Sequence, residues 1–178
     1  ALMPTQLNGR IADMKSLSAI ANKYDLRIVE DSCQALGARY DNTFAGFFGS
    51  VGSFSFYPSK TLGSFGDGGA VATNDDDAKD LILKLRDHGR EPTGKVTLWG
   101  HNGRLDNLQA AVLNIKLKNY TSALERRRSI AQMYTDRLKC IAEIGLPPGP
   151  NSQSNRYDIF QNYEIRASRR SELRKHLE

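Results

Sequence analysis

Cysteine is scarce: only Cys33 and Cys140 occur, with no CxxC pair and no Cys/His set at metal-ligand spacing. That excludes a disulfide framework and a zinc-ribbon or zinc-finger fold, and no metal is expected. No apolar run approaches the roughly 20 residues needed to cross a bilayer. The opening Ala1-Leu2-Met3-Pro4 has neither the basic start nor the apolar core of a signal peptide. A reducing cytoplasm is the compartment these absences suggest. There is no internal repeat, no low-complexity tract, no RNP-type aromatic motif and no basic arm, so neither nucleic acid nor membrane is an expected partner. Neither end reads as a natural domain boundary: the chain opens at a strand-like "LMPTQL" and closes inside a helical pattern, "SRRSELRKHLE". A piece of a longer protein is the expectation.

The 178 residues, 39% hydrophobic and 25% charged, have the length and composition of an ordinary globular domain with a sizeable core. Twenty-five basic against 20 acidic residues leave a net charge of +5, which suits a small anionic ligand such as a phosphate or nucleotide. The basic run Arg126-Arg127-Arg128 falls in a strongly helical stretch and reads as a solvated helix face.

Periodicity gives the order of elements. Met14, Leu17, Ala21 and Tyr24 share one face of a helix over 13–24. "LRIVED" is a short buried strand stopping at Asp31, and "VGSFSFY" a second strand stopping before Pro58. A glycine-rich loop over 63–69 precedes a third strand, "AVATN". Asp75, Asp76 and Asp77 open a helix whose apolar stripe is Ala78, Leu81, Ile82 and Leu85 and which ends at Gly89. Residues 106–140 read as helix with a break near 119–122, "LPPGPNSQSN" as a long loop and "YDIFQNYEI" as a strand; a last helix starts near Ser168. Strands alternating with helices in the first half imply an α/β sheet, and the second half a different layer or a second domain.

Single residues offer chemistry only with alternatives. Asp31 ends a buried strand, where ligands of open α/β sheets bind, but it is equally a turn or cap acid. Lys60, between a proline and a glycine-rich loop, is either an exposed lysine or a nucleophile toward carbonyls. Ser55 and Ser53 are two same-face serines that face solvent or offer a hydroxyl to a phosphate. "GSFGDGG" has the glycines of an anion cradle without the spacing of a nucleotide P-loop. His88 and His101 have no partner at ligand spacing.

Taken in order, "VEDSCQALGARY", "GSFSFYPSKTLGSFGDGGAVATND", "HGR", "GHNGRLDNLQAAVLNIKL" and "RRRSIAQMY" closely resemble the DegT/DnrJ/EryC1/StrS sugar aminotransferases, over nearly the whole chain. The resemblance implies a fold-type-I pyridoxal-phosphate (PLP) transferase. Residues 1–118 would form part of a large mixed-sheet α/β domain. Residues 119–178 would be an interdomain helix and the start of a small α+β C-terminal domain.

The resemblance also assigns roles. Lys60 matches the catalytic lysine that forms a Schiff base with PLP, and Asp31 the acid on the pyridine nitrogen. Gln34 matches the amide near the phenolic oxygen, with Cys33 between them against the ring. Ser55 matches a serine on the phosphate, and Asn102 an asparagine reaching a neighbouring subunit's phosphate, which implies a homodimer with shared sites. Arg104 either supports that loop or meets a substrate diphosphate. The implied reaction moves an amino group from an amino-acid donor, usually glutamate, to the keto group of a nucleotide-linked sugar.

Two departures stand out: the phosphate-binding helix N-terminus that the family carries upstream of "MPTQLNG" is missing, and Gln161 stands where many members have histidine. The missing segment leaves a second reading open, a non-catalytic fragment that folds or dimerises without PLP. The dehydratase relatives, whose lysine is replaced by histidine, are disfavoured because Lys60 is present. An anion-binding module built on "GSFGDGG" explains less of the sequence.

Overall fold

The computed structural model describes all residues, 1–178. Helix α1, Met14–Lys23, starts where the Asp13 carboxylate accepts the Ser16 amide at 3.2 Å, and it buries Met14 and Ala21, seven residues apart on one face. Strand β1, Val29–Asp31, follows; then come the short strands β2, Arg39–Tyr40, and β3, Thr43–Phe44. The central strand β4, Val51–Ser55, and β5, Gly69–Ala72, lead into helix α2, Asp76–Leu85. Asp75 caps α2 by accepting the Ala78 amide at 3.1 Å, and Gly89, at φ +73°, turns the chain away beyond it.

Two helices follow, α3, Asn107–Leu117, and α4, Tyr120–Leu138, separated by Asn119 in a non-helical conformation, within the expected break. The remaining strands are pairs of residues, β6, Ile144–Gly145, β7, Arg156–Tyr157, and β8, Arg166–Ala167, before the last helix, α5, Arg170–Leu177.

The principal sheet has the order β1-β4-β5, with β1 parallel and β5 antiparallel to β4. This mixed α/β architecture is the one expected. Register sets which side chains share a face: Glu30 pairs with Gly52 and Asp31 with Ser53. Glu30, Gly52 and Phe54 therefore lie on one face, Asp31, Ser53 and Ser55 on the other. The first face is packed tight against the 45–49 loop, because a Cβ on Gly52 would lie 2.2 Å from the Gly46 carbonyl oxygen. One hydrophobic core joins Met14, Ala21, Ile28 and Ala38 to Leu113, Tyr120, Leu124 and Ile159. Helices α3 and α4 thus seal the same core as the sheet.

Two expectations are corrected here. "YDIFQNYEI" leaves the strand after its first residue, Tyr157 of β7: Asp158, Ile159 and Phe160 are all buried in succession, and Phe160 has φ +53°, which breaks any two-residue alternation. The Asp158 carboxylate instead accepts the Ile11 amide at 2.9 Å and pairs with Arg10 at 3.3 Å. Nor is the arginine run a purely solvated face. Arg126 is exposed, but Arg127 and Arg128 are half-buried. Arg128 donates to the Asp158 and Pro150 carbonyls at 2.6 and 2.8 Å. An irregular segment leaves its carbonyls without ladder partners, and guanidinium groups supply the missing donors.

Candidate functional site

The carboxyl end of β1 presents Asp31 half-buried, with one carboxylate oxygen accepting the Cys33 amide at 3.1 Å. Ser53, opposite Asp31, donates its hydroxyl to the Glu30 carbonyl at 3.2 Å and lies 3.7 Å from the Cys33 sulfur. Burial pushes the Cys33 thiol up and Asp31 pushes it further, while the Ser53 hydroxyl and, least of all, the Lys60 charge pull it back.

Gln34 is oriented by Asn8. The Asn8 amide, at φ +60°, donates to Gln34 Oε1 at 2.6 Å. A backbone N–H can only be accepted by the amide oxygen, so the Gln34 –NH2 group is left free to donate elsewhere. Ser55, the last residue of β4, accepts the Tyr57 amide on its Oγ at 3.3 Å, which leaves the hydroxyl hydrogen free for an acceptor.

Lys60 sits on the turn after β4, its amide bonded to the Tyr57 carbonyl at 2.9 Å, and its ammonium makes no ion pair. Two side chains from later in the chain hold the turn. Thr61 Oγ1 lies 2.8 Å from the Tyr120 hydroxyl, which donates to the Leu36 carbonyl at 2.8 Å. Burial pushes the Tyr120 phenol up, so it keeps the hydrogen that this bond needs. Gln161 bonds both neighbours of Lys60, accepting the Thr61 amide at 2.9 Å and donating to the Ser59 carbonyl at 3.0 Å. Asn8, Thr61 and Tyr120 carry no motif of their own, and only the folded contacts reveal them. For Gln161 the sequence shows the departure but not its use.

Asn102 stands apart. It is exposed, bridged to Asp87 across the loop after α2, and makes no hydrogen bond to the Asp31–Lys60 group within the chain. Arg104 pairs with Asp87 at 3.5 Å, so its contact within the chain supports this loop. In the glycine-rich loop the Phe65 and Gly66 amides both donate to Gln109 Oε1, at 2.9 and 3.1 Å. Those are the groups an anion cradle would use, and a side chain of α3 already occupies them.

A mixed sheet carrying an acid at the end of β1 and a lysine on the turn after β4 has the fold of the PLP-dependent aminotransferases. It superposes on Streptomyces venezuelae DesV, solved in complex with a ketimine intermediate, with a TM-score of 0.92 at 42% identity, over 99% of this chain and 47% of that one. Bacillus subtilis NtdA, solved with bound cofactor PMP, matches with a TM-score of 0.81 at 27% identity, over 97% of this chain and 39% of that one. The sequence pattern of the DegT/DnrJ/EryC1/StrS aminotransferase family matches residues 1–178, and the chain belongs to that family.

Among curated relatives, the dTDP-3-amino-3,4,6-trideoxy-alpha-D-glucose transaminase of Streptomyces venezuelae is 42% identical over 100% of this chain and 46% of its own length. The "pleiotropic regulatory protein" of Geobacillus stearothermophilus is 40% identical over 97% of this chain and 46% of its own length. The chain therefore spans about half the length of these relatives.

Proposed function

We propose that this chain carries the lysine side of a pyridoxal-phosphate site, and that the protein transfers an amino group from an amino-acid donor, glutamate, to a keto group of a nucleotide-linked sugar. The observation that carries this reading is the placement of Asp31 at the end of β1 and Lys60 on the turn after β4, with no carboxylate pairing the amine.

The residues present fit the cofactor. Asp31 keeps one oxygen without a protein donor, suited to a protonated ring nitrogen. The unspent Gln34 –NH2 suits a phenolic oxygen, and the free Ser55 hydroxyl hydrogen suits a phosphate oxygen. When bound, the cofactor supplies an electron sink for a breaking Cα–H bond.

The chain's own part is to orient and to move protons. Lys60, its turn fixed by Tyr120 and Gln161, holds the proton at Nζ and returns it, a general acid–base role. Asn102, which makes no hydrogen bond to this group within the chain, serves the site of a second subunit in our reading, which makes the protein a homodimer. We assign residues 1–118 to the cofactor-binding domain and 119–178 to the helix and beginning of a smaller one, divided at the break before Tyr120. No helix is long and apolar enough to cross a membrane; we place the protein in the cytoplasm.

The test is a PLP titration followed by visible absorbance on wild type and Lys60→Ala, with borohydride fixation and peptide mass analysis. A new band in wild type, fixed as an adduct on the Lys60 peptide and absent in the variant, is the expected result. A folded wild-type chain giving neither band nor adduct overturns the assignment.

A further inference from the structure

Gln161 lies 100 positions from Thr61 in sequence, yet its side chain spans the two peptide groups that flank Lys60. Its oxygen accepts the Thr61 N–H at 2.9 Å and its nitrogen donates to the Ser59 carbonyl at 3.0 Å. The two partners dictate the orientation of the amide, because an N–H demands the oxygen and a carbonyl demands the –NH2. One planar group thereby restrains the peptide planes on both sides of Lys60, and with them the direction in which its side chain leaves the turn.

The segment that carries Gln161 is anchored in its turn. Arg127 donates to the Phe160 and Gln161 carbonyls at 3.3 and 3.2 Å. The Ile159 amide donates to the Gly9 carbonyl at 2.8 Å, and the Asn162 side chain to Asn8 Oδ1 at 3.0 Å. Gly9 has φ +78°, and a Cβ there would lie 2.5 Å from the Gln161 nitrogen, so the approach is as close as two backbones allow. Asn8 is the residue that orients Gln34. A single irregular stretch, 159–162, therefore holds both the lysine turn and the glutamine amide.

We propose that Gln161 is a positioning residue for Lys60: its amide clamps the lysine's backbone, and its segment sets the lysine in register with Gln34. The inference rests on the reading of Lys60 as the PLP-binding lysine. A reacting amine displaced by about 1 Å loses on the order of a hundredfold in rate, so a clamp on its backbone acts on the rate of capture more than on affinity.

The test uses the whole chain in three forms, wild type, Gln161→Ala and Gln161→Glu, with two readouts. The first is hydrogen exchange of the Thr61 amide without cofactor. Gln161→Ala is expected to speed it about tenfold, the loss of one hydrogen bond, with the amides of β4 and α1 unchanged. Gln161→Glu keeps an acceptor and should restore protection. The second readout is the rate at which PLP is captured on Lys60, fixed by borohydride and measured at the Lys60 peptide. It should fall at least tenfold in Gln161→Ala at saturating PLP, while the half-saturating concentration changes less.

Unchanged Thr61 exchange, or unchanged capture, in Gln161→Ala overturns the proposal. If the alanine variant does not fold, Gln161→Asn, one methylene too short to span both groups, takes its place with the same expectations. A wild-type chain that captures no PLP ends both this inference and the proposed function, whereas capture by wild type and equally fast capture by the variant ends this inference alone.

Discussion

Glu30→Gln is the substitution that asks most of the structure. Glu30 is completely buried and has no cationic partner; four N–H donors surround it instead. Oε1 accepts the Phe48 and Gly49 amides at 2.6 and 3.0 Å, and Oε2 accepts the Gly46 amide and the Gln6 side chain at 2.9 and 3.0 Å. An isosteric glutamine keeps one oxygen and turns the other into –NH2. Whichever way it sits, two donors lose their acceptor and face another donor.

A hydrogen bond to a charged group contributes roughly 1.5–3 kcal/mol, so the loss of two comes to roughly 3–6 kcal/mol. For a domain of this size that corresponds to a fall in Tm of roughly 6–24 °C. The assay is urea denaturation followed by circular dichroism, in which the midpoint should fall with the slope unchanged. A Glu30→Gln chain within about 0.5 kcal/mol of wild type would refute the reasoning, because the carboxylate would then not be what organises the 45–49 loop.

Two further substitutions and a labelling experiment probe other parts of the site. The Ser32 hydroxyl is buried with no hydrogen-bond partner, so Ser32→Ala should leave stability unchanged or raise it by about 1 kcal/mol, read from the urea midpoint; a clear loss would mean the hydroxyl has a role the contacts do not show. Near neutral pH, iodoacetamide should alkylate exposed Cys140 well before Cys33, whose thiol is pushed up mainly by burial and then by Asp31. Raising the pH should quicken Cys33 only above the ordinary thiol range, since the thiolate is the reactive form; equal labelling of the two cysteines, by peptide mass, would contradict the site's geometry. Lys60→Ala removes the charge that pulls the Cys33 thiol down, so Cys33 should then label more slowly still.

Much of the fold is legible along the chain because it is local. The stripe of Met14 and Ala21, the capping acids Asp13 and Asp75, and the β-branched run into Asp31 each specify an element from a window of a few residues, and α1, α2, β1 and β4 stand where those signals put them. The positions of Asp31 at the end of β1 and Lys60 on the turn after β4 were likewise set by local signals, as was the break before α4.

What the tertiary structure decided is the use each side chain is put to. Two adjacent acids end β1, and alternation alone says only that they face opposite ways. The packed 45–49 loop makes Glu30 the internal one and leaves Asp31 for the site. Segment 158–162 carries a strand-like pattern, but the backbone of Gly9 and the donors of Arg127 and Arg128 hold it out of any sheet, and Gln161 reaches the lysine turn only there. Pairings across a hundred residues depend on which surfaces meet when the core closes, and no local window contains both partners.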